Sequence, residues 1–293
     1  MLSPDQVQAY HRDGFLTLPG FLAPDVVAAT RERVWSIVDA CPPPGGRAAV
    51  FSSAERALTT DAELFASARD VRCFFEAEAL DAAGCLTRPL RQAVNKIGHA
   101  LHDRDPFFDR FFRDPRLAAI AVAIGLADPL LWQSQVILKP PGIGGAVRWH
   151  QDASFFYTSP QTVTTFWWAL DDATRDNGCL WVQPGGHRGP LRERFLREGD
   201  RLVRQALDDI AWPAEVDSRP LPVAAGTLVV FHGLLPHRSA ANRSTAPRMA
   251  CTLHVTDGRA RYAAENWLQG GIHDPVRGFI HASARTVHAF VRR

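Results

Sequence analysis

The sequence contains no long hydrophobic run, no low-complexity segment and no internal repeat. Its longest apolar stretch, residues 117–127, is too short to cross a bilayer, so no membrane partner is predicted. No linker is long enough to divide the chain, and we therefore predict a single domain over residues 1–293. The formal net charge is only +2, from mixed signs, which argues against nucleic-acid binding. No obligate protein partner is indicated.

Cysteine is also scarce, and the five cysteines show no Cys-x-x-Cys spacing. They are Cys41, Cys73, Cys85, Cys179 and Cys251. This scatter suggests neither a zinc site nor a disulfide framework, so we predict reduced thiols. The first residues lack the basic and apolar regions of a signal peptide, and the last three are not a peroxisomal address. These absences together predict a cytoplasmic protein.

What the chain does have is a set of short β-prone segments in its second half. Apolar, β-branched and aromatic residues predict strands at residues 130–138, 162–170, 179–183, 226–231 and 249–255. Asn177-Gly178 predicts a hairpin turn between two of these strands. Residues 191–216 carry Arg, Glu and Leu at helical spacing. They are predicted to form a helical insertion that covers the open end, or mouth, of the barrel that the strands would form. Residues 41–60 are predicted to form a second cover.

The first part of the chain is predicted to be helical up to about residue 127. Ser3 followed by Pro4 marks one helix start, and Asp114 followed by Pro115 marks another. Residues 95–112 also look helical and carry no strand pattern. Helices followed by strands predict an α+β fold that is mainly β. The predicted core is a double-stranded β-helix, or cupin-like jelly roll, at about 128–258, backed by the N-terminal helices of about 1–127.

The most informative local pattern is His150-Gln151-Asp152. Side chains two apart on an extended strand point to the same face, so His150 and Asp152 can converge on one metal ion. With a distant second histidine they would form the 2-His-1-carboxylate triad of non-haem Fe(II) oxygenases. A second His-x-Asp, at His11 and Asp13, falls in a predicted helix, where residues two apart diverge. We therefore interpret His150 and Asp152 as metal ligands.

An oxygenase that uses 2-oxoglutarate also needs an arginine, whose planar guanidinium can bind the carboxylate of the cosubstrate that lies away from the metal. Three histidines are candidates for the third metal ligand, and each is followed eleven positions later by an arginine. These pairs are His99/Arg110, His232/Arg243 and His237/Arg248. Arg248 opens a β-prone segment, whereas Arg243 lies in a turn-like stretch, where an anchor would be poorly preorganised. Ser239, two positions beyond His237, would face the same side. We choose His237 with Arg248 and keep His232 as the alternative.

Motifs along nearly the whole chain resemble those of the phytanoyl-CoA dioxygenase (PhyH) family, and most closely its branch called phytanoyl-CoA dioxygenase domain-containing protein 1. The matching motifs include Asn95-Lys-Ile-Gly, His150-Gln-Asp-Ala-Ser-Phe, Asn177-Gly-Cys-Leu-Trp181, Pro184-Gly-Gly-His187 and Glu265-Asn-Trp-Leu-Gln269. The resemblance implies that the iron ligands are His150, Asp152 and His237. It also implies that Arg248 and Ser239 hold 2-oxoglutarate.

Three further cosubstrate-binding residues rest mainly on this resemblance. Lys96 matches a lysine that helps to bind 2-oxoglutarate in the branch, and Gln135 and Trp168 match positions that line its pocket. Without the resemblance, Lys96 would be interpreted as an exposed helical lysine and Trp168 as part of the core. Asp152 also distinguishes the chain from related halogenases, which lack this carboxylate.

The implied function is an Fe(II)- and 2-oxoglutarate-dependent dioxygenase that uses O2 to hydroxylate an aliphatic C–H bond of a small molecule, releasing succinate and CO2. The acyl-CoA substrate of the founding enzymes is not carried over, because the sequence shows no basic cluster suited to CoA phosphates. One alternative is a non-catalytic sensor of 2-oxoglutarate or iron with the same fold. Another is a metal-dependent hydrolase or isomerase, which would have no use for Arg248.

Overall fold

The structure, a computed structural model, describes residues 1–42, 44 and 61–280. Numbered in chain order, its helices are α1 (Pro4–Asp13), α2 (Pro24–Ala40), α3 (Asp61–Ser67), α4 (Leu101–Arg104), α5 (Pro106–Phe112) and α6 (Pro115–Ala123). Its first eight strands are β1 (Phe15–Leu18), β2 (Val71–Phe75), β3 (Val94–His99), β4 (Pro129–Lys139), β5 (Val147–His150), β6 (Thr158–Ser159), β7 (Thr164–Ala169) and β8 (Leu180–Val182). The remaining strands are β9 (Glu193–Glu198), β10 (Arg201–Ala206), β11 (Arg219–Leu221), β12 (Leu228–His232), β13 (His237–Ser239), β14 (Arg248–Asp257), β15 (Arg261–Tyr262) and β16 (Arg277–Gly278).

Two antiparallel sheets form the core, as the predicted jelly roll requires. The large sheet has the order β1-β12-β7-β14-β4-β3-β2, with β16 also paired to β4. The small sheet has the order β11-β8-β13-β5. Apolar residues of both sheets pack together in the space between them, among them Trp167 and Ala250 of the large sheet and Val182 of the small one. The predicted fold class is therefore confirmed.

The outer face of the large sheet packs against the N-terminal helices. Trp168 and Cys251 lie in this outer core, together with Phe108 and Phe112 of α5. The helix starts that the sequence predicts are confirmed: Ser3 caps α1 with its side chain, and Asp114 caps α6. Because side chains on a strand alternate between faces, each strand of the large sheet serves both the helical layer and the space between the sheets.

The prediction that residues before 127 are helical is wrong in three places. Strands β1, β2 and β3 all belong to the large sheet. Residues 95–112 begin as strand, because β3 is buried throughout its length and pairs with β4, with Lys96 opposite Ile137. A fully buried strand lacks the polar-apolar alternation by which a strand is recognised in sequence. Tertiary pairing therefore decides the structure of this segment.

The predicted helical insertion at residues 191–216 is instead mainly a hairpin of β9 and β10. Burial alternates along β9, where Glu193 and Phe195 are buried and their neighbours are less so. This period of two is that of a strand with one covered face. Asn177-Gly178 does form a turn, with Gly178 at φ 91°, but it carries the chain from one sheet to the other.

The prediction of reduced thiols is contradicted for one pair of cysteines. Cys41, at the end of α2, and Cys73, in β2, are joined as a disulfide with their Cα atoms 6.3 Å apart. Cys85, Cys179 and Cys251 are free. The two cysteines are 32 positions apart in sequence, so no local sequence pattern indicates that they pair. The predicted cover at residues 41–60 lies outside the described residues, except for Cys41, Pro42 and Pro44.

Candidate active site

His150, Asp152 and His237 are brought together where the small sheet ends. His150 is the last residue of β5, and Asp152 begins a single 3-10 turn instead of continuing the strand. Gln151 between them keeps an extended backbone, which leaves the two ligand candidates on one side. His237 begins β13 and is the direct cross-strand partner of His150. The antiparallel pairing of β5 with β13 therefore brings together two histidines that are far apart in sequence.

The three side chains are arranged as a ligand set for one metal ion. Their potential ligand atoms all lie within 4.8 Å of one another, and no other such group occurs among the described residues. Asp152 Oδ1 is 3.5 Å from His150 Nε2 and 3.6 Å from His237 Nε2. The other ring nitrogens point away: Nδ1 of His150 contacts the Arg148 carbonyl at 2.8 Å. Nδ1 of His237 contacts the Leu235 carbonyl at 2.9 Å.

These carbonyl contacts decide which nitrogen can bind a metal. A carbonyl oxygen only accepts hydrogen bonds, so Nδ1 of each imidazole must carry the proton and donate it. The lone pairs then lie on the two Nε2 atoms, which face the carboxylate. A backbone acceptor behind a ligating histidine is the usual way in which proteins fix its tautomer and orientation. Two imidazoles and one carboxylate are also a donor set that suits Fe(II).

Burial and neighbouring charge set the protonation states of the triad. Burial raises the pKa of Asp152, but the charges of the neighbouring His237 and His254 outweigh it and hold that pKa well below its ordinary value. Burial, followed by the charge of His150, lowers the pKa of His237 to about 4. At neutral pH the carboxylate is therefore ionised and His237 is neutral, as metal ligands must be. Burial lowers the pKa of His150, but the adjacent Asp152 outweighs it and raises that pKa, so metal binding at His150 competes with a proton.

Two residues that the sequence did not single out contact Asp152. Thr165 donates a hydrogen bond from Oγ1 to Asp152 Oδ2 at 2.5 Å, and His254 Nε2 lies 3.4 Å from the same oxygen. His254 also stacks on Phe156, with ring centroids 4.8 Å apart. A signal for His254 was present, because it lies six positions beyond Arg248 in a predicted strand and therefore shares its face.

Arg248 occupies the first position of β14 and is only 2% exposed. Its Nε and Nη1 atoms are buried without a hydrogen-bond partner, and none of the described carboxylates forms a salt bridge with it. Burial lowers its pKa to about 10, so the guanidinium remains charged at neutral pH. A buried cation with unpaired donors is expected to have an anionic partner. A carboxylate of 2-oxoglutarate fits this need.

Lys96, Gln135 and Ser239 are buried and lie on strand positions that face the space between the sheets. Lys96 pairs across the sheet with Ile137, and Ile137 pairs with Ala250. Because cross-strand partners share a face and Ala250 is two residues from Arg248, Lys96 lies on the same face as Arg248. Gln135 is opposite Thr252, on the same face as Arg248. Ser239 is two residues beyond His237 on β13. Lys96 is buried in β3, which contradicts its interpretation as an exposed helical lysine, and this burial lowers its pKa to about 7.

Trp168 is not on the face that the resemblance assigned to it. Its indole packs against Phe111 and Phe112 of α5, with ring centroids 5.4 and 5.7 Å away. The adjacent Trp167 faces the space between the sheets, with the Arg248 guanidinium carbon 5.8 Å from its ring centroid. The correction has a simple cause, because neighbouring residues of a strand point to opposite faces. Trp167 replaces Trp168 as the candidate for the cosubstrate pocket.

This pair of tryptophans allows a matched test. Trp167→Phe is expected to weaken 2-oxoglutarate binding by about 3–10-fold, because the ring beside Arg248 becomes smaller and loses part of its cation–π contact. Trp168→Phe is expected to leave that affinity within about twofold and to lower the free energy of unfolding by about 1–3 kcal/mol. Cosubstrate titration and denaturant unfolding of both variants measure the two effects. An affinity loss confined to Trp168→Phe would reverse the correction.

The other distal candidates do not reach the triad. His232 ends β12, accepts a hydrogen bond from the Leu234 amide on Nδ1, and lies 5.4 Å from the His187 ring between centroids. His99 contacts the Ser67 hydroxyl through Nδ1 and packs against Trp267. Burial, together with the neighbouring histidines, lowers the pKa of His232 to about 4. Neither histidine belongs to the ligand group.

The segment that leads into the β9–β10 hairpin is attached to the site through the side chain of Gln151, the residue between the two ligand candidates. The Gln151 amide donates to the Pro190 carbonyl at 3.1 Å and accepts from the Arg192 amide at 2.9 Å. Farther along, Phe195 of β9 stacks on Phe155 with ring centroids 4.5 Å apart. The hairpin therefore lies beside the candidate metal ligands, as a cover over the barrel mouth would.

Known proteins resemble the chain over most of its length. The family model described as "Phytanoyl-CoA dioxygenase (PhyH)" matches residues 10–250. "Phytanoyl-CoA dioxygenase" of Arabidopsis thaliana is 36% identical over 271 residues, covering 92% of this chain and 94% of that protein. "Phytanoyl-CoA dioxygenase domain-containing protein 1" of Danio rerio is 37% identical over 278 residues, covering 92% and 95%. Among solved structures, the non-heme alpha ketoglutarate dependent carbocyclase SnoK superposes with a TM-score of 0.60 at 18% identity, covering 94% and 96%, which shows a shared fold.

Proposed function

Because the chain belongs to the phytanoyl-CoA dioxygenase family, we propose that it is an Fe(II)- and 2-oxoglutarate-dependent dioxygenase acting on a small molecule. The proposed reaction converts an aliphatic C–H to C–OH, with consumption of O2 and 2-oxoglutarate and release of succinate and CO2. The observation that carries the proposal is the triad of His150, Asp152 and His237, whose ligand atoms lie within 4.8 Å of one another. Family membership alone would not establish that this chain keeps a complete ligand set.

The roles of the chain's own residues follow from their placement. The two Nε2 atoms and Asp152 Oδ1 would hold Fe(II), and Arg248 would bind the distal carboxylate of 2-oxoglutarate through its unpaired N–H groups. When bound, iron and 2-oxoglutarate together activate dioxygen for attack on an unreactive C–H bond. The protein orients the ligands and excludes water, since Asp152 and His237 are almost completely buried. His150 is the most exposed of the three, with 22% of its side chain accessible.

We also propose that residues 1–293 form one domain and that the hairpin of β9 and β10 helps to select the substrate. In support of one domain, β1 near the N-terminus pairs with β12, and β16 near the end of the described chain pairs with β4. The hairpin's contacts with Gln151 support its role. None of the described helices is long and apolar enough to span a membrane. A cytoplasmic location stays a prediction, and the Cys41–Cys73 disulfide removes one argument for it.

A non-catalytic sensor of 2-oxoglutarate or iron is the second candidate, because it would use the same ligands. The decisive experiment measures succinate formed from 2-oxoglutarate by anaerobically Fe(II)-loaded protein after exposure to oxygen. Asp152→Ala removes the carboxylate ligand. Asp13→Ala is a matched control, because Asp13 belongs to the other His-x-Asp and is paired with Arg12 on the surface.

The dioxygenase proposal expects succinate from the parent and from Asp13→Ala, with a loss of at least about 100-fold in Asp152→Ala. We expect this signal to come from uncoupled turnover in the absence of the natural substrate. If the parent binds iron and 2-oxoglutarate but forms no more succinate than Asp152→Ala, either turnover is strictly coupled to an absent substrate or the protein is a sensor. The sensor becomes the better explanation if a panel of small-molecule substrates also fails to stimulate succinate formation. If Asp152→Ala keeps the parent's succinate yield, the ligand assignment is wrong.

A further inference from the structure

The two oxygens of Asp152 have different surroundings. Oδ1 faces the Nε2 atoms of His150 and His237, at 3.5 and 3.6 Å. Oδ2 faces away from them and contacts Thr165 Oγ1 at 2.5 Å and His254 Nε2 at 3.4 Å. Oδ1 therefore faces the candidate metal position, whereas Oδ2 faces Thr165 and His254.

The two residues that contact Oδ2 lie on neighbouring strands inside the large sheet. Thr165 lies in β7 and His254 in β14, which are neighbours inside the large sheet, and the two residues are direct cross-strand partners. Thr165 is 1% and His254 is 6% exposed. Phe156 stacks on the imidazole of His254 and restricts its rotation. Neither donor has to be ordered when a metal binds, so the orientation of Asp152 is prepared in advance.

The direction of these contacts is set by the carboxylate. An ionised carboxylate only accepts hydrogen bonds, so Thr165 must donate its hydroxyl proton. His254 Nε2, at 3.4 Å, attracts the same oxygen when it carries a proton. His254 Nδ1 is buried without a hydrogen-bond partner. The imidazole therefore makes its described polar contact through Nε2 alone. Its contact is directed at the ligand and does not contribute to a separate polar network.

We propose that Thr165 and His254 are positioning residues that hold Oδ2 of Asp152, so that only Oδ1 is presented to the metal. This inference rests on the proposed function, in which the triad binds Fe(II). A carboxylate free to rotate can offer both oxygens to one cation, which would occupy an additional coordination position. With Oδ2 held by two donors, the triad takes three positions and leaves the others for cosubstrate and oxygen.

The test measures metal affinity, using Co(II) as an oxygen-insensitive probe whose visible absorption reports coordination geometry. Thr165→Val removes the hydroxyl at nearly constant volume, and Thr165→Ser restores it. Thr164→Val is the matched control, since Thr164 is a buried neighbour whose hydroxyl lies 3.5 Å from that of Tyr10 on the opposite face. His254→Leu removes the donor, and His254→Gln returns an N–H group at similar reach.

We expect Thr165→Val and His254→Leu to bind Co(II) about 10–100-fold more weakly, with a changed absorption spectrum. Thr165→Ser, His254→Gln and Thr164→Val are expected to stay within about threefold of the parent. Thermal unfolding of the metal-free proteins shows whether a variant has lost its fold. If His254→Leu does not fold, the Thr165 series and His254→Gln decide the question.

Several results would overturn the inference. Affinity within about twofold of the parent in both Thr165→Val and His254→Leu would show that Oδ2 needs no support. An equal loss in Thr164→Val, or no recovery in the Ser and Gln variants, would show a general packing effect. Failure of the proposed function is distinguishable, because a parent that binds Co(II) but forms no succinate still ranks these variants. A parent that binds Co(II) no better than Asp152→Ala would overturn both.

Discussion

His237→Ala is expected to lower Fe(II) affinity by at least about 100-fold, whereas His232→Ala is expected to change it by less than about threefold. His237 supplies one of three ligand atoms, and its Nε2 lies 3.6 Å from the Asp152 carboxylate. His232 is directed at His187 and the Leu234 amide instead. Without His237 only two of the three proposed protein ligands remain, and metal binding is expected to weaken accordingly. Anaerobic Fe(II) titration of the two variants and the parent measures the difference.

The same pair of variants decides whether His237 or His232 is the third metal ligand. His237 is buried and His232 is half-buried, so both alanine variants remove packed side-chain atoms as well as an imidazole. Unfolding midpoints of the metal-free proteins control for loss of fold. If His232→Ala loses iron binding and His237→Ala retains it, the assignment of the distal ligand is reversed. Equal losses in both would indicate that the site depends on the loop between β12 and β13 and not on one ligand.

The candidate metal ligands could be proposed from sequence because strand periodicity relates His150 to Asp152 and a recognisable strand at Arg248 points to His237. Strand periodicity places His150 and Asp152 on one side, even though Asp152 lies in a 3-10 turn beyond the end of β5. His237 could be chosen over His232 because Arg248 opens a recognisable strand. The jelly roll followed from a succession of β-prone segments. These features need only the local order of residue types.

The missed features depend on long-range contacts or on a single position of register. β3 is recognisable as a strand only by its pairing with β4, and the Cys41–Cys73 disulfide joins segments that no spacing relates. The resemblance pointed to Trp168, whereas the structure places the adjacent Trp167 beside Arg248, and one residue along a strand exchanges one face for the other. Thr165 has no distinguishing neighbours in sequence, and only the fold places its hydroxyl on Asp152.

Arg248→Met is expected to weaken 2-oxoglutarate binding by about 100-fold. Two charge-assisted hydrogen bonds are lost, each contributing roughly 1.5 kcal/mol, and every 1.4 kcal/mol corresponds to about tenfold in affinity. Arg248→Lys is expected to fall between the parent and Arg248→Met, because it keeps the charge without the planar fork. Arg243→Met is the control, since Arg243 is exposed in the turn before β14. Titration of Co(II)-loaded protein with 2-oxoglutarate measures the affinities.

A second ligand and a second measurement make this prediction specific to the distal carboxylate. Pyruvate is a 2-oxo acid without that carboxylate, so its weaker affinity is expected to be the same in Arg248→Met and the parent.

Stability is expected to respond in the opposite direction to binding. Arg248 is a buried charge with unpaired donors, and replacing it with an apolar side chain removes a desolvation cost. Arg248→Met is therefore expected to unfold at an equal or higher denaturant concentration while it loses its cosubstrate. Destabilisation together with unchanged 2-oxoglutarate affinity would instead make Arg248 a structural residue.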